Sequence, residues 1–256
     1  MSSVAQSIAW WCFVPVHFTP EAFVRAVAEA GYAAIDLVPP EYCALVRAHG
    51  LAISALAGHS PLTRGLNRRE HHAEIEQQIR AALAVAQQWD VSTVLCFSGD
   101  RAGQDDLTGA ALCAEGLARL APLAEAAGVT LVLELLNSKI DHPDYQADRT
   151  PWAAAVCERV GSPRVKVLYD IYHMQIMEGD LIRTLQTYAP LFGHYHTAGC
   201  PGRHELDETQ EINYHAVLRA IKATGYQGYV VHEFLPVGDP LTSLRATVAR
   251  YAPDLA

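Results

Sequence analysis

Val129-Thr-Leu-Val-Leu-Glu134 and Val165-Lys-Val-Leu-Tyr-Asp170 decide the fold. Both are apolar runs rather than strict apolar/polar alternations. Such runs mark strands covered on most sides, as in a parallel sheet. Between them, residues 150–160 read as a helix. Thr150-Pro151 supplies a capping residue and a first-turn proline, and Gly161 supplies a left-handed stop.

Outward from this unit the pattern repeats. Strands are expected at residues 7–13, 33–38, 52–57, 93–97, 130–135, 165–169, 192–196 and 229–234. Helices are expected at 20–30, 41–49, 68–89, 106–127, 150–160, 179–189, 213–224 and 240–251. Gly31, Gly50, Gly128 and Gly225 stand where left-handed helix stops are favoured, and Thr19-Pro20 repeats the capping arrangement. Eight strands and eight helices at about 32 residues per unit predict an α/β protein, a single-domain (β/α)8 barrel over residues 1–256. The competing arrangement is an open doubly wound sheet. No Gly-rich phosphate loop follows the first strand, which counts against a nucleotide-binding version.

The 256 residues carry 19 Lys plus Arg against 28 Asp plus Glu, a formal charge of −9. That balance counts against nucleic acid or an anionic membrane as partner, because phosphate binding needs concentrated basic charge. No apolar run approaches the roughly 18 residues that span a bilayer. The apolar stretch from Ile8 to Val16 has no basic residue before it, unlike a secretory signal. Six widely spaced cysteines form no CxxC motif, and we read them as reduced thiols of a cytoplasmic protein.

In a barrel the C-terminal ends of the strands build the active site. Four consecutive expected strands end in Glu134, Asp170, His196 and Glu233. Three carboxylates facing one pocket repel unless a cation joins them. One imidazole with three carboxylates is an oxygen-rich set suited to one Mn²⁺ or Mg²⁺, with Co²⁺ and Zn²⁺ as further candidates. The alternative is that the four are separate ion pairs. Candidate substrate contacts surround them: His59 after the third strand, Asn137 and Lys139 after Glu134, His173 after Asp170, and Arg203 in Pro201-Gly-Arg-His-Glu205. His59 reads equally well as a packing residue. Of the neighbouring Trp10 and Trp11, one is expected at the pocket and the other packed outward. His194 is expected in the core, His232 toward the helices, and His71-His72 in solvent.

The segment Asp170-Ile-Tyr-His-Met-Gln-Ile-Met-Glu-Gly-Asp180, the loop Pro201–Glu205 and Glu211-Ile-Asn-Tyr214 resemble the hydroxypyruvate isomerase family of xylose isomerase-like TIM barrels. The resemblance implies a divalent metal on Glu134, Asp170, His196 and Glu233. It implies that Glu134 and Glu233 flank the substrate and shuttle a proton, and that His173 and Arg203 contact the substrate. It also implies a homo-oligomer. The chain has His196 where hydroxypyruvate isomerases often carry Gln, and its loop from Ala57 to Arg64 differs from theirs. Ketose 3-epimerases carry a second Glu where this chain has Ile140.

Together these features point to a metal-dependent isomerase of a small hydroxy-keto acid or sugar, working through an enediolate. A ketose 3-epimerase or other sugar isomerase, a dehydratase, and a non-catalytic metal-dependent sugar-binding protein are the alternatives.

Overall fold

The computed structural model describes residues 4–255. Nine short strands form one sheet: β1 (Ala5–Ala9), β2 (Ala34–Asp36), β3 (Ala52–Ile53), β4 (Leu56–Ala57), β5 (Thr93–Cys96), β6 (Thr130–Glu134), β7 (Val165–Asp170), β8 (Phe192–Thr197) and β9 (Tyr229–His232). Their order is β3-β2-β1-β9-β8-β7-β6-β5-β4. The order begins and ends on the two pieces of the third expected strand, which residues Ser54 and Ala55 interrupt. That circular order is the one a (β/α)8 barrel requires, and β1 pairs in parallel with both β2 and β9.

Helices connect the strands: α1 (Pro20–Ala30), α2 (Cys43–Ala48), α3 (His72–Trp89), α4 (Asp106–Ala127), α5 (Thr150–Val160), α6 (Ile171–Met177), α7 (Leu181–Tyr188), α8 (Tyr214–Ala223) and α9 (Pro240–Leu255). The capping signals act as expected in α1. Thr19 accepts the Ala22 N–H, and Gly31 closes the helix at φ 94°. Leu131, Val132, Leu133, Val167, Leu168 and Tyr169 are fully buried, which explains why β6 and β7 read as unbroken apolar runs. Each such side chain contributes roughly 1.5–3 kcal/mol by leaving water.

Two compact units divide the chain. One holds the described residues up to Ser54, Asp180–Ala189, and those from Tyr195 onward. The other holds Ala55–Gly179 and Pro190–His194.

Three local expectations are corrected. The first strand ends at Ala9, because Phe13 and Val14 both donate to the Trp10 carbonyl and turn the chain. Aromatic residues serve a strand and such a turn equally. Helix α6 was not expected; Asp170 caps it by accepting the His173 N–H at 2.9 Å, so a strand end doubles as a helix start. His72 is not solvated: it is buried, and its Nε2 lies 2.8 Å from the Leu66 carbonyl. All six cysteines are free and buried, as expected of thiols. No described helix is long and apolar enough to cross a membrane.

Candidate active-site residues

Register places the strand-end groups. In the first unit, His196 pairs with Val231, so Glu233 lies two residues beyond its partner. A two-residue step keeps a side chain on the same face of a sheet. His196 and Glu233 therefore share a face, and His196 Nδ1 lies 3.1 Å from Glu233 Oε2. The second unit repeats this arrangement. Glu134 pairs with Leu168, and Asp170 stands two residues beyond. All four residues are buried.

Glu233 is held on every side. The Trp11 indole N–H donates to Oε1 at 2.6 Å, and Arg203 donates to Oε2 at 2.6 Å. Burial alone would raise this carboxyl. The charges of His196 and Arg203, with hydrogen bonds from His196 and Trp11, hold it far below the ordinary carboxylate range. Arg203 also lies over the Trp11 ring, 5.1 Å from its centroid, a cation–π contact. Its backbone is left-handed at φ 58°, a conformation costly for a residue with a side chain, and the Leu235 N–H pins its carbonyl at 2.7 Å. Trp10, by contrast, is buried and stacks on Tyr42 at 5.0 Å. The two tryptophans divide as expected.

In the second unit, Asn137 organises the loop after β6. Its Oδ1 accepts the N–H groups of Ile140 and Asp141. Its Nδ2 donates to Asp141 at 2.7 Å and faces His173 Nδ1 at 2.6 Å. Because the amide oxygen is committed to two donors, His173 Nδ1 must accept, which leaves the proton of a neutral ring on Nε2, 3.7 Å from Asp170 Oδ2. The Lys139 ammonium donates to the Ile176 carbonyl at 2.7 Å, at the C-terminus of α6, where a cation is favoured.

His59 accepts the Phe97 N–H through Nε2 at 2.9 Å, and its ring packs edge-on against Phe97. Burial lowers it to about 4, so it is neutral near pH 7. Gly58 makes this approach fit, since a Cβ there would sit 2.4 Å from the Leu95 carbonyl. His232, expected on the helix side, lies between Thr197 and Gln6 and against Tyr32 and Tyr251. Glu205 does not pair with Arg203; it takes the Val237 and Gly238 N–H groups and Ser243.

One residue of the set escaped the sequence reading. Asp36 ends β2, is fully buried, and lies 3.1 Å from His196 Nε2. The signal was present, since Asp36 follows Ala-Ile as Glu134 follows Val-Leu.

Comparison with known proteins agrees with this architecture. Residues 24–251 match the family model for the xylose isomerase-like TIM barrel. Hydroxypyruvate isomerase of Escherichia coli K12 is 32% identical over 164 residues, 64% of this chain and 63% of that protein. 2-Oxo-tetronate isomerase of Cupriavidus necator is 38% identical over 122 residues, 48% of this chain and 46% of its own. A human protein provisionally named a hydroxypyruvate isomerase is 28% identical over 241 residues, 94% of this chain and 82% of its own. The matched stretches thus span from about half to four fifths of these relatives. The crystal structure of a family 2 AP endonuclease from Brucella melitensis superposes with a TM-score of 0.86 at 27% identity, covering 98% of this chain and 99% of that one. With the family model running across nearly its whole length and the strand order that family requires, the chain belongs to the xylose isomerase-like TIM barrel family.

Proposed function

We propose that this protein is a divalent-metal-dependent isomerase that interconverts the aldehyde and ketone forms of a small hydroxy-keto acid or sugar. Hydroxypyruvate and 2-oxo-tetronate, named by its relatives, are the leading substrates. The observation that carries the reading is the donor set. Glu134 and Asp170 stand at adjoining strand ends of the second unit, His196 and Glu233 at adjoining strand ends of the first, and all four residues are buried. Three carboxylates so placed cost several kcal/mol each to bury without compensating charge. The oxygen-rich set fits Mn²⁺ or Mg²⁺. The family model crosses both compact units, which supports treating the chain as one barrel domain.

Isomerisation begins with loss of a proton from carbon beside a carbonyl. When bound, the metal supplies positive charge opposite the negative charge that then develops. Glu134 and Glu233 take the proton from one carbon and return it to the next through the enediolate. General base catalysis of this kind contributes about 10²–10⁴-fold. Arg203 binds the substrate carboxylate by charge-assisted hydrogen bonds, exchanging its contact with Glu233. His173 orients the substrate hydroxyls through its Nε2–H. His59, Asn137 and Lys139 act indirectly, through the loops they hold. Ile140, exposed and apolar, offers no carboxylate where 3-epimerases carry one, which favours isomerisation over epimerisation.

Proton NMR in D₂O tests the proposal, with hydroxypyruvate, 2-oxo-tetronate and several ketoses as candidates and Mn²⁺ removed before recording. The expected result is an aldehyde product from hydroxypyruvate or the 3-oxo isomer from 2-oxo-tetronate, with deuterium entering beside the carbonyl only when metal was present. Inversion at carbon three of a ketose would replace the isomerase by an epimerase. Tight metal binding with neither product nor exchange would leave a binding protein.

A further inference from the structure

His196 has a carboxylate against each ring nitrogen: Glu233 at 3.1 Å from Nδ1 and Asp36 at 3.1 Å from Nε2. The Asp36 side continues into a buried chain of hydrogen bonds. Asp36 Oδ1 accepts the Ser54 hydroxyl at 2.5 Å, and Ser54 Oγ lies 2.8 Å from Ser7 Oγ. Because the Ser54 hydrogen goes to Asp36, Ser7 is the donor to Ser54. Asp36, His196 and Ser7 are fully buried and Ser54 is 1% exposed, so water does not compete for these bonds.

An imidazole binds a cation only through a nitrogen that carries no proton, and the partner of the other nitrogen decides which one that is. A carboxylate can only accept; Glu233, itself one of the proposed ligands, would turn to the cation and release Nδ1, whereas Asp36, outside that set, goes on accepting from Nε2. We propose that Asp36 is a positioning residue: it holds His196 with Nε2 protonated and so presents Nδ1, on the Glu233 side, as the metal-binding atom. The inference rests on the metal set proposed above and adds Asp36 to it as a hydrogen-bond partner of a ligand, not as a ligand. Ser54 and Ser7 fix the carboxylate in turn. Each of the three comes from a different strand end or strand of the first unit, so the device is set by the sheet and not by a mobile loop.

The test is the near-isosteric Asp36→Asn variant, read by Mn²⁺ affinity from electron paramagnetic resonance and by ¹⁵N NMR of histidine in the Zn²⁺-loaded protein. The wild type should bind one ion per chain with His196 ligated through Nδ1 and protonated at Nε2. Asp36→Asn should weaken Mn²⁺ binding about 10–100-fold, with the melting temperature of the metal-free protein little changed. Should that variant not fold, Ser54→Ala, which removes only the support behind Asp36, should weaken binding by a smaller factor. Ligation through Nε2, a second ion held by Asp36, or wild-type affinity in a folded variant would overturn the inference while the metal set survives. Failure of the wild type to bind Mn²⁺, Mg²⁺ or Zn²⁺ would remove the metal reading itself, and this inference with it.

Discussion

At the ends of β8 and β9 the polar side chains bond to one another; in the loop after β6 Asn137 and Lys139 also secure backbone groups. Glu233 is shared by Trp11, Arg203 and His196, and His196 by Glu233 and Asp36. Each of these contacts ends on a buried carboxylate, the kind of group that the proposed cation or anionic substrate would engage. Asn137 closes a turn onto Ile140 and Asp141, and Lys139 caps α6. These contacts have no exchangeable partner, because breaking them strands backbone groups. The difference between the two regions lies in what the hydrogen bonds are spent on. Under the proposed function, the first would carry the chemistry and the second would secure the loop beside it.

Three experiments would break or sharpen this contrast. The largest effect is expected at the carboxylates. Glu134→Gln and Glu233→Gln should each lower turnover by at least about 10²-fold, since the amide cannot take up a proton, while circular dichroism shows the fold intact. Near-normal turnover in either would end the two-glutamate scheme. Asn137→Ala should do the reverse. It leaves buried groups unpaired at a cost of roughly 2–4 kcal/mol, visible in urea unfolding, and lowers activity only as far as the loop loosens. An unchanged unfolding midpoint would mean that the loop does not depend on this amide.

The smallest expected effect concerns pH. Burial lowers His232, in the first unit, to about 3 and His59, in the second, to about 4, against 6.5 unfolded. Between those values the unfolded chain binds protons that the folded chain refuses. Stability is therefore fully present above about pH 6.5 and falls as the pH drops toward 4. Melting curves from pH 7 to pH 4 should show the decline, and His232→Asn should flatten part of it. A melting temperature that does not move over this range would argue that neither ring is buried neutral.

Much of the architecture was legible because burial imposes pattern. Residues 130–134 and 165–170 read as strands because both their faces are covered, and α1, α4 and α5 match their expected limits because a left-handed glycine closes each, although Thr150 does not cap α5, whose N-cap is Arg149 with no side-chain hydrogen bond. Helix α6 escaped because Asp170 serves two elements at once. The strand ends 134, 170, 196 and 233 were found from their place after apolar runs. Asp36 was less legible, because the strand it ends has only three residues and so a short apolar run before the carboxylate. The hydrogen bonds of Lys139 and Asn137 were not legible, because a loop next to a carboxylate looks the same in sequence whether its polar groups face a ligand or their own backbone.

The sequence by itself determined which residues form strands and helices, and which ionisable groups stand at strand ends. Those follow from periodicity, capping and burial, all of which act within a few residues. Only the tertiary structure decided that Trp11 and Arg203 meet Glu233, that Asp36 stands behind His196 and that Lys139 turns to a helix end. These contacts join residues from as few as 30 to as many as 222 positions apart. Side-chain hydrogen bonding is set by distances of an ångström or less, and no local pattern encodes it.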